Sequence, residues 1–145
     1  EYELIHERLD IEKVEPITEK QYFVRGTTAL LDAIGRTLSL MISISKTVNK
    51  DAKSKKVIFV ITTDGMENAS VEYSYKKIKK MIEYQKEKYG WEFVFFGANM
   101  DAVIEAGKLG IGADRAQNYC ADAIGTSMAY TAMSAFSTAY RGGKL

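Results

Sequence analysis

Hydrophobic and polar positions along the chain predict alternating strands and helices. Residues 57–62 (VIFVIT) and 91–97 (WEFVFFG) are almost continuously apolar, as strands covered on both faces are. Apolar residues recur at helical spacing over 28–48 and again over 71–89. Strands that alternate with helices indicate a parallel sheet between helices. We therefore expect one α/β domain, 1–145, with a three-layer α/β/α, mostly parallel, doubly wound (Rossmann-like) sheet.

The two ends of the chain add further elements. Residues 1–9 predict a strand of mixed alternation, and 11–14 predict a second extended piece. Pro16 disfavours helical backbone at the residue before it, so this segment is expected to be extended or turning. The other expected elements are a short helix capped by an aspartate, a brief strand and a final helix, at 101–109, 116–120 and 123–140.

Composition and charge exclude several classes of function. Hydrophobic residues make up 46% of the chain, which is enough for a real core. With 20 Lys+Arg against 19 Asp+Glu, the net charge of +1 gives no general attraction to polyanions. The lysines at 76–80 are not interleaved with aromatic residues that could stack on nucleic-acid bases. No apolar run approaches the roughly 18–20 residues of a membrane span. We expect neither a nucleic-acid partner nor a membrane span, and the lysine content with the lone Cys120 favours a bacterial cytoplasmic protein.

An acidic residue follows directly on the first apolar run. The sequence TTDG places the carboxylate of Asp64 at the carboxyl end of the predicted strand, and ligands bind outside such ends in parallel sheets. Gly65 permits a tight turn and a close approach of the backbone. Aspartate also begins turns and caps helices, so position alone leaves a structural role equally open.

Two segments in order resemble a known family. RGTTALLDAIGRTL (25–38) followed by VIFVITTDGMEN (57–68) resembles the von Willebrand factor type A domain, the fold of integrin inserted domains. Members of that family bind ligands through a metal-ion-dependent adhesion site made by three loops at the carboxyl edge of the sheet. The resemblance implies that Thr28 matches the second loop and Asp64 the third, as ligands of Mg²⁺, Mn²⁺ or Ca²⁺.

One part of the family pattern has no counterpart here. Its first loop carries Asp-x-Ser-x-Ser, and the nearest match, MISIS at 41–45, lacks the aspartate and lies late in a predicted helix. The chain opens on Glu1, and we expect a domain truncated at its N-terminus, in which metal affinity is poor. A parallel sheet without its first strand would expose an apolar slot, so a homodimer formed by strand pairing or swapping is also expected.

Six further residues are candidates for the rim of this site. Glu67 and Asn68 follow the turn and either reach a metal-bound water or ligand, or solvate the loop and start the next helix. Asn99 and Asp101 follow the second strand, where Asp101 is also a natural helix cap. The full set of rim candidates is Thr27, Gly65, Glu67, Asn68, Asn99 and Asp101.

Three functions remain as hypotheses. The leading one is a binding module, not an enzyme, that engages a protein partner through a divalent cation. A second is a metal-free scaffold with a degenerate site. A third is Mg²⁺-dependent phosphoryl transfer, which wants a second carboxylate or a nucleophile close to Asp64, and TTDGMEN offers neither with the spacing of phosphatase motifs.

Overall fold

Helices and parallel strands alternate along the chain. A computed structural model describes residues 2–22, 26–48 and 56–144. In chain order, the helices and strands of these ranges are α1 (Leu30–Val48), β1 (Ile58–Thr63), α2 (Tyr75–Tyr89), β2 (Glu92–Gly97), α3 (Ala102–Lys108), β3 (Ala116–Asn118) and α4 (Ala123–Arg141). Two short 3₁₀ turns, Ile11–Lys13 and Ala113–Arg115, complete the set.

The three strands form one parallel sheet in the order β1-β2-β3. Thr63 at the end of β1 faces Gly97 at the end of β2, and Gly97 faces Asn118 at the end of β3. The carboxyl ends of all three strands therefore meet at one edge, as the sequence predicts. That edge is where loops from different elements converge.

Helices cover both faces of the sheet. Alternate residues of a strand point to opposite faces, and in β2 Phe93 and Phe95 join the core formed with α1, α2 and α3. Val94 and Phe96 face the other way and pack against Ala129 of α4. The α/β arrangement with helices on either side of a parallel sheet is thus confirmed for the described residues. None of their helices combines the length and the hydropathy that a bilayer crossing requires.

The prediction of strands near the start of the chain is wrong. Residues 2–22 contain no strand, and the segment expected to be extended at 11–14 includes the 3₁₀ turn Ile11–Lys13, capped by Asp10. Ile11 is 75% exposed. An apolar alternation becomes a strand only when a neighbouring strand accepts its hydrogen bonds, and none of the strands described for this chain does so for residues 2–22.

The second helix begins later than its apolar spacing predicts. Val71, expected to open the buried face of α2, is 88% exposed, and the helix begins at Tyr75 after the cap Ser74. The predicted end at residue 89 is confirmed, and Gly90 after it adopts the left-handed conformation (φ 65°) typical of helix ends. Residues 71–73 are held outside the helix by hydrogen bonds described below.

Candidate functional site

The loop before α1 and the loop after β1 are joined to each other. The backbone N–H of Asn68 donates to the carbonyl of Thr28 (3.0 Å), and the N–H of Thr28 donates to Oδ1 of Asn68 (2.8 Å). Asn68 therefore fixes the position of Thr28 with both its backbone and its side chain. Joining the two loops is a role of Asn68 that differs from the two expected from the sequence, which are to reach a metal-bound water or ligand and to start the next helix.

The hydroxyl of Thr28 lies over the turn that carries Asp64. A Cβ atom built on Gly65 would stand 3.2 Å from Oγ1 of Thr28, which is tighter than an ordinary van der Waals contact. Gly65 thus lets the two loops approach closely, as expected from its lack of a side chain. Thr28 and Asp64 come from segments far apart in sequence and meet at the same edge of the sheet, while their role as metal ligands stays a prediction.

The turn after β1 is held by two side chains. Oγ1 of Thr63 donates to the carbonyl of Gly65 (2.8 Å), and Nδ2 of Asn99 donates to the carbonyl of Asp64 (3.0 Å). Asn99 itself has a left-handed backbone (φ 59°), which asparagine tolerates better than most residues. Its place at the rim is therefore structural: it holds the backbone that presents the Asp64 carboxylate.

Asp64 opens onto a groove of about 750 Å³ beside β1. The side chain of Asp64 is exposed, and Tyr119, which follows β3, lines the same groove. Burial raises the pKa of the Tyr119 hydroxyl, and the negative charge of Asp64 raises it further. Asp64 and Tyr119 therefore line one groove, although they follow the first and the third strand of the sheet.

Glu67 caps α1 from across the fold. Its Oε2 accepts from the N–H of Leu31 (2.9 Å), in the first turn of the helix, and its Oε1 accepts from the N–H groups of Ala69 and Ser70. Burial alone would raise the pKa of Glu67, but these backbone donors outweigh it and hold the pKa below its ordinary value. Both carboxylate oxygens of Glu67 therefore serve to join the loop after β1 to the start of α1, and we call this connection the loop junction.

Sequence reasoning misses Asp32, a second carboxylate of the junction that accepts several backbone hydrogen bonds. It lies in the first turn of α1, is buried, and accepts from the backbone N–H groups of residues 71, 72 and 73, each at 2.9 Å. The N–H of Asp32 in turn donates to Oγ of Ser70 (3.0 Å). The available signal is an aspartate set between Leu31 and Ile34 on the buried stripe of the helix.

These two carboxylates predict how stability depends on pH. The N–H of Val71, with those of its neighbours, holds the pKa of Asp32 below its ordinary 3.8, and the pKa of Glu67 lies below its ordinary 4.5. A lowered pKa stabilises the fold above the unfolded-state value, and that stability is lost as pH falls through the folded-state value. Urea midpoints should therefore hold above about pH 5 and fall steeply below about pH 4.

A paired variant checks this pH dependence. In Asp32→Asn/Glu67→Gln neither side chain titrates, so the urea midpoint should be lower at neutral pH and fall less between neutral and acid pH than in the parent chain. An equally steep acid fall in both proteins would assign the effect to other carboxylates.

The remaining candidates lie at the rim or beyond it. Asp101 caps α3, because its Oδ1 accepts from the N–H of Ile104 (3.1 Å), which is the structural role left open for it. Thr27 is exposed beside Thr28. Arg25, which opens the first of the two motifs, lies outside the described residues.

The side chains of Thr28 and Asp64 carry oxygen atoms, the type of ligand that a hard cation prefers. Mg²⁺ prefers oxygen ligands, is held by few carboxylates and keeps several waters. The described ranges contain no group of three or more Asp, Glu, His or Cys side chains placed to hold a metal ion. In donor type, the two side chains would fit part of an Mg²⁺ shell, and water or oxygen atoms of a ligand would have to supply the other positions.

No family model, curated protein or solved structure matches this chain.

Proposed function

We propose that this chain is a binding module of the von Willebrand factor type A kind, which engages a protein partner through a divalent cation at the carboxyl edge of its sheet. One observation carries this proposal: the hydroxyl of Thr28 lies against Gly65, next to the exposed carboxylate of Asp64. The two motifs that resemble the family are the ones that supply these two residues. The proposed role is non-catalytic.

The small number of charged ligands determines how strongly the proposed site would bind the cation and the partner. A hydroxyl and one carboxylate neutralise little of the charge of Mg²⁺, so the ion stays able to accept a further carboxylate. A partner that presents an aspartate or glutamate side chain would supply that oxygen. Metal binding by the chain alone is then weak, and an acidic partner strengthens it.

Asp64 can be tested against a matched aspartate. Titration with Mn²⁺, followed by the broadening of backbone amide signals, should affect residues 28 and 64–65 first. Asp64→Asn should lower the Mn²⁺ affinity at least about tenfold, which is 1.4 kcal/mol, because the site loses its charged ligand. Asp101→Asn, at the carboxyl end of the neighbouring strand, should change it by less than about twofold. Equal affinities in the parent chain and Asp64→Asn would remove Asp64 from the site.

A metal-free scaffold is the second candidate, and the loop junction favours it. Glu67, Asn68 and Asp32 all serve to join the two loops. A junction built this way needs no ion to keep its shape. If Mn²⁺ broadens no amide signal selectively while the amide spectrum remains that of a folded protein, the scaffold replaces the metal-dependent module.

A further inference from the structure

The groove beside Asp64 brings together three tyrosines from distant parts of the chain. Tyr22 belongs to the N-terminal segment, Tyr119 follows β3 directly, and Tyr130 lies on α4. Tyr22 is 64% exposed and Tyr130 is 60% exposed, while Tyr119 is half-buried. Burial raises the pKa of the Tyr119 hydroxyl, and Asp64, Tyr22 and Tyr130 raise that pKa further, as expected of groups around one groove. The groove therefore offers aromatic surface from three separate segments.

Every other tyrosine of the chain lies against a cation of the chain itself. The sequence has 9 tyrosines. A lysine or arginine lies 4.2 to 5.9 Å from the ring centroid of Tyr2, Tyr73, Tyr75, Tyr84, Tyr89 and Tyr140. No lysine or arginine that the structure describes lies over the ring of Tyr22, Tyr119 or Tyr130. Because the face of a tyrosine ring attracts a cation, the three groove tyrosines suit a cation that a ligand supplies.

The groove is acidic, although the chain as a whole is not. Glu19 and Asp64 line it, and its described lining contains no lysine, arginine or histidine. Both carboxylates are exposed, whereas the net charge of the whole chain is +1. Two negative charges in one groove attract a cation and repel an anion. The groove volume of about 750 Å³ lies within the range of about 300–1,000 Å³ that is typical of small-molecule sites.

We propose that this groove binds a small organic cation whose ammonium group is fully methylated. The three tyrosine rings contact the cation through their faces, and the carboxylates of Glu19 and Asp64 balance its charge. A fully methylated ammonium group has no N–H donor, so it needs no acceptor in a fixed position. Its methyl groups spread the charge over an apolar surface, which matches the apolar lining supplied by Ile17, Ala129 and Met133.

This proposal goes beyond the metal-dependent function and does not rest on it. Asp64 is the one residue that the two proposed sites share, and a metal ion and an ammonium ion bound beside it would repel each other. Binding of the organic cation is therefore measured in EDTA. Tyr130→Leu should weaken that binding and leave the Mn²⁺ affinity unchanged, so the failure of one proposal can be distinguished from the failure of the other.

Choline is the probe for this site. In EDTA it should shift the backbone amide signals of residues 119 and 129–133 saturably, with a Kd of about 1 mM. The uncharged isostere, in which a tert-butyl group replaces the trimethylammonium group, has the same shape and should bind at least about tenfold more weakly. No saturable shift with choline, or equal affinity for choline and the isostere, overturns the proposal.

Two substitutions at Tyr130 test the role of its ring. Tyr130→Leu removes a ring face and should weaken choline binding at least about fivefold, whereas Tyr130→Phe keeps the ring and should bind within about twofold of the parent chain. Tyr84→Leu is the matched control, because Tyr84 is also an exposed tyrosine on a helix, but Lys88 lies over its ring. That control should bind choline like the parent chain. Equal affinities in Tyr130→Leu and the parent chain overturn the tyrosine site.

An arginine of the chain itself is the alternative occupant of the groove. Arg25 follows Tyr22 closely in the sequence and lies outside the described residues. Equal choline affinities in the parent chain and in Arg25→Ala support a site for a ligand. Choline binding that appears only in Arg25→Ala would assign the groove to this arginine and overturn the proposal.

Discussion

Glu67→Ala should lower the free energy of unfolding by about 2–3 kcal/mol, because hydrogen bonds to a charged group contribute about 1.5–3 kcal/mol. The glutamate accepts from backbone N–H groups of residues 31, 69 and 70 and from the hydroxyl of Ser70. Alanine would leave the N–H of Leu31, at the start of α1, without its acceptor. Urea unfolding at neutral pH measures the loss.

Glu72→Ala is the matched control for this change. Glu72 belongs to the same loop and pairs with Arg36, but both side chains are largely exposed, and exposed ion pairs contribute little. Its substitution should leave the urea midpoint almost unchanged. Hydrogen exchange gives a local readout: the amide of Leu31 should exchange faster in Glu67→Ala and at the parent rate in Glu72→Ala. Equal losses of stability in both variants would mean that Glu67 has no special role in the junction.

Gly125→Ala should destabilise the chain by about 1–3 kcal/mol, although alanine normally favours a helix. Gly125 is buried in the first turn of α4, where its N–H donates to Oδ1 of Asp122. A Cβ atom there would overlap the backbone carbonyl of Cys120, which cannot move aside as a flexible side chain can. The helix would have to shift away from the segment that follows β3.

Gly107→Ala gives the opposite expectation. Gly107 is also inside a helix, α3, but a Cβ atom on it would meet nothing within 4 Å. That substitution should raise the free energy of unfolding by about 0.5–1 kcal/mol through helix propensity alone. Urea unfolding of both variants compares the two signs directly. A loss of stability in neither variant would mean that α4 has room for a side chain at position 125.

Regular elements with a local signal are predictable from the sequence. The apolar runs predict β1 and β2 within one residue of their observed bounds, and helical spacing predicts α1 to within two residues of its start. Apolar runs and helical spacing each depend only on the residues of a single strand or helix. The N-terminal strands are predicted wrongly, because a strand depends on a hydrogen-bonding neighbour that the pattern does not specify.

The loops around the site are only partly predictable. The position at the end of a strand singles out Asp64, and the family resemblance singles out Thr28. The hydroxyl of Thr28 lies close to Gly65, the residue that follows Asp64. The hydrogen bonds that hold these loops together cannot be predicted from the sequence, because Glu67 and Asp32 bind backbone groups that are distant along the chain. The late start of α2 has the same origin, since residues 71–73 donate to Asp32 in place of continuing a helix.

The Asp32 carboxylate also constrains the order of folding. It reaches donors about 40 residues away, and closing so large a loop costs chain entropy before any contact forms. The turns of α1 need only local hydrogen bonds, whereas this junction requires β1 to be in place and the chain after it to have returned. Distant contacts of this type slow folding. We therefore expect the loops that present Thr28 and Asp64 to form late in folding, after α1 and β1.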